Sequence, residues 1–592
     1  MNQTTIELEC HALHKDIDQL KLKSNRYSTI RFFVIIGVLF SLYQGSVNQS
    51  FWYLLAIVLT VAFLYVARLH YLLKVKLEET QTYLNVYEDI LKRKSDEWKN
   101  FEQTGKEFMK ESMTQAYDLD LFGKSSLFQY LNVGATIAGK EALATLLTLK
   151  STDATSMFRR QEAVKEAMES KHFTLRMNML SKLFSKHAKK IKKKKMDSFL
   201  AFMEEPIPPY AFLIKVLSFL LPVLSILASI LTGFFNLSLS YALAAFTLTL
   251  CFAMLGFMKN NAQLSYVESM HALIQDYEKM FSCMSQQAFE SAFWKDLKHQ
   301  LQDADQGIRE LNRILGFVRI RSNSVMFIII NGFTAIDYHC VNALRDWKNT
   351  YGTQVRHWLD AIGEAEAILS LTQLCFAKDQ VCFASIKEGA PSIQMIEGKH
   401  PLIKESDAVA NSITMEHGSY VITGSNMSGK TTFLRTIGVN MVLFQAGAPV
   451  CATSFQATPV SIYTSMRVHD DVSEGISTFY AEILRIKQMM EASKRQDNML
   501  VLIDEIFKGT NSADRILCAK EAIMKLHLPH VITVVSTHDF ELCDLEKDDK
   551  VHAINYHFSE YYEEDTICFD YLLKEGRCTT TNARQLMKLA GF

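Results

Sequence analysis

Two stretches of this chain carry no Asp, Glu, Lys or Arg: residues 32–67 and residues 216–258. As straight helices, these runs of 36 and 43 residues would measure ~54 and ~65 Å, about twice the ~30 Å hydrocarbon core of a bilayer. Each therefore reads as a helical hairpin. In the first, a polar turn at 43–50 separates 30–42 from 51–67; in the second, residues 234–238 divide 211–233 from 239–257. Four membrane spans are expected, because core helices rarely run so far without a charge. Lys21, Lys23, Arg26 and Arg31 precede the first hairpin, Arg68, Lys74 and Lys76 follow it, and Lys215 and Lys259 bracket the second, while both turns are uncharged. The positive-inside rule then places both termini and every large segment in the cytoplasm. A further apolar run at 325–336 is bounded by Arg321 and Asp337. At about a dozen residues it reads as a buried helix and not as a fifth span.

Elsewhere the pattern has the helical period, over 77–110 and 142–183, and residues 259–320 read as long paired helices. No proline occurs before Pro206, so nothing in that half breaks a helix outright. From Ser419 onward short apolar runs alternate with helices, the mark of a parallel α/β sheet. The expected organisation is an N-terminal helical segment (1–27), membrane hairpins (28–72 and 206–258), a mostly α-helical core (73–205, returning at 321–385), clamp-like helices (259–320) and a C-terminal α/β P-loop domain (386–592).

The chemistry lies in that last domain. Residues 420–423 form a strand, and Gly424-Ser425-Asn426-Met427-Ser428-Gly429-Lys430-Thr431 fits G-x-x-x-x-G-K-[ST], with a helical run from Thr432. The glycines let backbone N–H groups converge on phosphates, Lys430 neutralises β/γ oxygens, and the Thr431 hydroxyl suits Mg²⁺. The strand 499–503 ends in Asp504 and Glu505; Asp504 suits the Mg²⁺ shell and Glu505 is placed to polarise an attacking water. The strand 531–537 ends at His538, a candidate γ-phosphate sensor. Intact Lys430, Thr431, Asp504, Glu505 and His538 argue against a scaffold with an inactive nucleotide site.

The P-loop followed by Thr432-Phe433-Leu434-Arg435, then Ser477-Thr478-Phe479-Tyr480-Ala481-Glu482, Asp504-Glu505-Ile506-Phe507-Lys508-Gly509-Thr510-Asn511 and Ser536-Thr537-His538, closely resembles the ATPase domain of the MutS mismatch-recognition family in order and spacing. Gly398-Lys399-His400-Pro401-Leu402 is similar to the family's segment near the nucleotide base, and Arg159-Arg160-Gln161-Glu162-Ala163-Val164 to part of its helical core. The resemblance implies an ABC-type, Mg²⁺-dependent ATPase that hydrolyses ATP as a homodimer, with Ser477 and Thr478 of one subunit reaching the γ-phosphate held by the other and Asn426 helping to couple the two. Phe507 and Arg515 stand where the family usually has glycine. The family's mismatch wedge, an aromatic residue with glutamate two positions on, has no counterpart upstream of the core. Phe202-Met203-Glu204 and Phe558-Ser559-Glu560 match the tripeptide by accident, and a chain ending at Phe592 is expected to carry no appended nuclease domain.

Composition adds an address and a constraint. The 592 residues include 63 basic and 64 acidic ones, net charge −1, and 48% hydrophobic residues, which excludes a disordered chain or a uniformly basic nucleic-acid coat. The sign is uneven: 73–205 carries +5 and 386–592 carries −7, so charge gives DNA binding by the ATPase domain little help. Eleven cysteines without a C-x-x-C pair fit a reducing cytosol and no zinc site. Eight lysines between Lys182 and Lys195 suit anionic lipid headgroups, a nucleic-acid backbone or a solvated helix face. Together these features describe a membrane-anchored ATPase driving a helical clamp or lever on DNA, with a transporter-like membrane switch that binds no DNA as the alternative.

Overall fold

The structure, a computed structural model, describes residues 3–47, 51–110, 113–149, 153–189, 193–235, 238–320, 323–467, 478–507, 511–563 and 566–578, and the statements below refer to these. Two compact units result: Met1–Val133, Glu141–Leu175 and Ala367–Phe592 form one, and Gly134–Lys140 with Arg176–Glu366 form the other.

The first unit opens with two helices packed along each other, Gln3–Val47 and Phe51–Lys94, each continuous through the uncharged run and its charged flank. Phe33, Phe40, Leu54 and Val61 face outward. By length and apolar composition both helices can cross a membrane, as can Phe212–Phe235 and Leu239–Glu268 of the second unit. The helical period read over 77–110 ends at Lys94. Asp96 and Gly105, at φ 71 and 68°, break it into the short turns Glu97–Asn100 and Lys106–Phe108, since a left-handed residue terminates a helix. The period over 142–183 is realised as Ile137–Leu147, Ala154–Glu169 and Lys171–Ala188.

The C-terminal part of this unit is built on a six-stranded sheet in the order Lys574–Glu575, Ile554–His557, Gly418–Thr423, Val531–Thr537, Met499–Asp504, Ser461–Ser465, parallel except for the first strand. All residues of Gly418–Thr423, Met499–Asp504 and Val531–Thr537 are buried, which is why they read as unbroken apolar runs without alternation. Helix Lys430–Ala446 follows the loop after Gly418–Thr423 and is buried along most of its length. A second, mixed sheet (Ser385–Ile386, Ser454–Ala457, Ser392–Gly398, Asn411–Glu416) lies in the same unit.

In the second unit, the long paired helices expected over 259–320 are three shorter ones, His271–Gln286, Ala292–Gln300 and Ala304–Ile320, after Leu239–Glu268 has run ten residues beyond Met258. His271–Gln286 and Ala304–Ile320 pack on each other, and Phe281, Trp294, Leu297, Ile308 and Leu311 of the three helices are buried. The apolar run at 325–336 is not a buried helix. It forms Ser324–Thr334, of which Asn331 and Gly332 are buried while Val325, Met326, Ile328 and Ile329 are exposed. Run length alone does not distinguish a helix in a protein core from one facing lipid.

Candidate functional site

In parallel register, Thr423 pairs with Thr537 and Asp504 with Ser536, so three adjacent strands end at one level. Their carboxyl ends present the loop 424–429, Asp504-Glu505 and His538 along a single edge. Such an edge is the usual ligand crevice of an open α/β sheet.

The loop turns tightly, with Gly424, Met427 and Gly429 at φ 153, 72 and 107°. Gly429 starts helix Lys430–Ala446, and a Cβ there would lie 3.2 Å from the Tyr571 ring. Lys430 is buried, and its Nζ donates to the Gly424 and Ser425 carbonyls at 2.8 Å each, which holds the ammonium within the loop. Thr431 Oγ1 donates to Asp504 Oδ2 at 2.7 Å, while Ser536 Oγ donates to Asp504 Oδ1. Ser425 Oγ donates to Glu560 at 2.7 Å, and Ser428 Oγ is buried. Two hard oxygen donors, Thr431 and Asp504, side by side at a helix N-terminus match the few protein ligands a Mg²⁺ ion takes beside phosphate oxygens.

Glu505 follows at φ 49°, its N–H bonded to Ser536 O at 2.9 Å. His538 is half exposed, with Nδ1 4.0 Å from Glu505 Oε1 and Nε2 3.8 Å from Asp539. Arg515 forks onto Asp539 at 2.7 and 2.8 Å, so one of the two glycine replacements fixes the carboxylate next to His538. The other, Phe507, keeps a left-handed φ of 61° and packs its buried ring edge-on to Phe479 at 5.8 Å.

Beside the loop lies a cavity of 690 Å³ lined by Asn426, Met427, Gly429, Lys430, Thr431, Thr432 and Glu505, and by His400, Asn411, Phe558 and Tyr571. His400 Nδ1 accepts the Leu402 N–H at 3.3 Å. Burial, reinforced by the charges of Arg435 and Lys378, pushes its pKa down to about 3, so the ring is neutral. Pro401 is buried and does not line the cavity. Phe558 is buried with its ring 5.8 Å from Phe433; it is a wall of this cavity and cannot serve as a wedge. Phe202 likewise lies under Lys348, 3.9 Å from its ammonium. Ser477, with 470–475 before it, and 508–510 lie outside the described residues, as does the Thr478 side chain; the backbone of Thr478 opens helix Thr478–Ser493.

A family model described as MutS domain V matches residues 420–592. Over this domain the chain matches the MutS family. It is 36% identical over 267 residues to a "DNA mismatch repair protein MutS" of Aquifex pyrophilus, covering 43% of this chain and 30% of that protein. A "DNA mismatch repair protein MutS 2" of Halobacterium salinarum is 30% identical over 237 residues, 39% of this chain and 27% of the relative. The chain thus spans less than a third of the length of these curated relatives.

Around the MutS domain V, sequence reasoning missed what distant segments contribute. Tyr571, at φ 54°, and Asn411, which holds the Tyr571 carbonyl at 2.9 Å, complete the cavity wall. Fully buried Asp118 accepts the backbone N–H groups of Met466 and Arg467 at 3.1 and 3.0 Å and lies 3.6 Å from Arg485. Asp120 pairs with Arg467 at 2.6 Å and with Arg435 of helix Lys430–Ala446 at 3.3 Å. At the far end of that helix, Arg160 donates to the Gln445 and Ala446 carbonyls at 2.9 and 3.0 Å. Only the similarity of residues 159–164 to the family's helical core hinted at this partner.

Proposed function

We propose that the chain is a Mg²⁺-dependent ATPase of the MutS type, with a P-loop ATPase fold, working as a homodimer. The observation that carries this reading is the convergence of the 424–429 loop, Lys430, Thr431, Asp504 and Glu505 at the carboxyl ends of adjacent parallel strands. In this reading the loop amides and Lys430 cradle the β/γ-phosphates, and Thr431 with Asp504 hold the metal, whose charge stabilises the transferring phosphoryl group. Glu505 takes the proton of the attacking water, His538 contacts the γ-phosphate, and neutral His400 with Tyr571 and Phe558 receives the base. Ser477 and Thr478 of the partner subunit complete the site.

The four long apolar helices support a multi-pass membrane protein, and the basic residues flanking the uncharged runs support a cytoplasmic ATPase domain and cytoplasmic termini. The similarity to DNA mismatch repair proteins supports DNA as the target of the helical part. A membrane switch that binds no DNA is the second reading, favoured by the acidic C-terminal domain. The test is ATP turnover in nanodiscs, with and without homoduplex, mismatched and branched DNA. Glu505→Gln is expected to bind ATP and lose turnover; full turnover in that variant refutes the catalytic assignment. Rates indifferent to every DNA, without salt-sensitive DNA retention, refute the DNA role. Cysteines at Asn48 and Asn236 are expected to label from outside the cell, and labelling only from inside removes the hairpins.

A further inference from the structure

We propose that residues 324–351 form a re-entrant helical hairpin, which enters the membrane beside Phe212–Phe235 and Leu239–Glu268, turns near mid-depth and leaves on the side it entered. This rests on the membrane reading of those two helices. The levels at which the side chains meet establish the path. On the way in, Phe327 meets Phe257 with ring centroids 5.0 Å apart, and Phe333 meets Phe246 at 5.0 Å. At the turn, Ser225 Oγ donates to Gly332 O at 3.1 Å. On the way out, Tyr338 stacks on Phe252 at 4.5 Å, and His339 reaches Ser218 O at 3.2 Å. Counted from Val216, where the uncharged run begins, Ser225 lies ~14 Å deep and Ser218 ~3 Å. Helix Ser324–Thr334 therefore descends to about the middle of a ~30 Å core, and helix Ile336–Tyr351 climbs back.

The composition suits lipid on the remaining face. No Asp, Glu, Lys or Arg occurs from Ser324 to Ile336. The inner side packs on the two long helices, while Val325, Met326, Ile328 and Ile329 are exposed. An 11-residue helix is ~17 Å long, too short to span and of the right length to reach the centre. Acyl chains of the cytoplasmic leaflet are the occupant that matches such a face.

A helix break at that depth leaves backbone groups without water, which hydrocarbon does not tolerate unless the protein supplies partners. Here it does. Ala335 adopts φ 47° and returns its N–H to Asn331 O, the Asn331 side-chain oxygen lies 3.5 Å from the Asp337 N–H, and Ser225 serves the Gly332 carbonyl. Asn331 and Asp337 are fully buried next to each other, so the one ionisable group at the turn faces protein and not lipid. The hairpin also leaves the number of full crossings even.

The test places a dansyl amino acid by stop-codon suppression in the full chain, in phosphatidylcholine nanodiscs. Positions are Val325 or Ile329 on the proposed hairpin, Val223 on the exposed face of Phe212–Phe235, and Arg313 on Ala304–Ile320 as an aqueous control. Emission is quenched either by 12-doxyl phosphatidylcholine or by iodide. The hairpin predicts that Ile329 loses emission to the doxyl lipid as fully as Val223 does, with iodide reaching only Arg313. Iodide quenching at Ile329 and Val325 while Val223 responds to the lipid overturns the hairpin and leaves the spans standing, as does protection of both sites from either quencher. Iodide quenching at Val223 overturns the membrane reading itself.

Discussion

Asp118→Asn is an isosteric change at a carboxylate with no access to solvent, and its cost follows from three contacts. One carboxylate oxygen receives the Met466 N–H and the other the Arg467 N–H, with the Arg485 guanidinium 3.6 Å away. Asparagine keeps one acceptor and turns an NH₂ group toward the second N–H. A buried donor is then left facing a donor, at ~1–3 kcal/mol. Arg485, whose side chain is 20% exposed, also loses its counter-charge, which adds ~1 kcal/mol once water at that edge is taken into account. A total of ~3 kcal/mol in a region of ~200 residues lowers the melting temperature by ~6–12 °C. The control is Asp120→Asn, at a side chain 32% exposed whose ion pairs are worth ~1 kcal/mol or less. Melting followed by intrinsic fluorescence in detergent measures both. A variant Asn at 118 that melts within ~2 °C of the parent, or a larger loss at 120 than at 118, refutes the reasoning. Because Arg467 stands ten residues before Ser477 in the sequence, the proposed ATPase reading also expects Asp118→Asn to lower ATP turnover with little change in KM.

Gly447→Ala is expected to destabilise by ~2–3 kcal/mol, combining a left-handed φ with backbone contact: φ is +81°, and the new Cβ would stand 2.6 Å from Arg160 Cβ and 3.2 Å from Gln161 N. Gly576→Ala, at φ +86° with open space around it, is expected to lose only ~1 kcal/mol, and equal losses at the two sites refute the close approach. His400 has its pKa lowered from 6.5 to about 3, so the fold favours the neutral ring. Its contribution to stability is complete above about pH 6.5 and is lost as pH falls from there toward 3. Melts at stepwise lower pH are expected to drop more steeply for the parent than for His400→Gln, and parallel curves exclude the effect.

The candidate edge could be read from the sequence because its groups follow the chain locally: the glycine loop after one strand, Asp504-Glu505 after another, His538 after a third. What supports that edge was not. Asp118 meets Met466 across 348 positions, and Tyr571 closes the cavity from a loop with no motif of its own. The breaks in 259–320 occur at Ser269-Met270, 287–291 and 301–303 without glycine or proline, so periodicity alone ran through them. The glycine replacements Phe507 and Arg515 were visible as departures, but only packing on Phe479 and pairing with Asp539 give them a purpose.

Helix Lys430–Ala446 begins at the ammonium that faces the phosphate loop and ends at the two carbonyls held by Arg160. Seventeen residues make a stiff rod of ~25 Å, and burial along it leaves little room to bend. A displacement of its first turn would therefore arrive at Arg160 nearly undiminished. Under the proposed ATPase reading, a small shift at the nucleotide end would become a movement of the backbone that Arg160 holds, without any loop having to carry it.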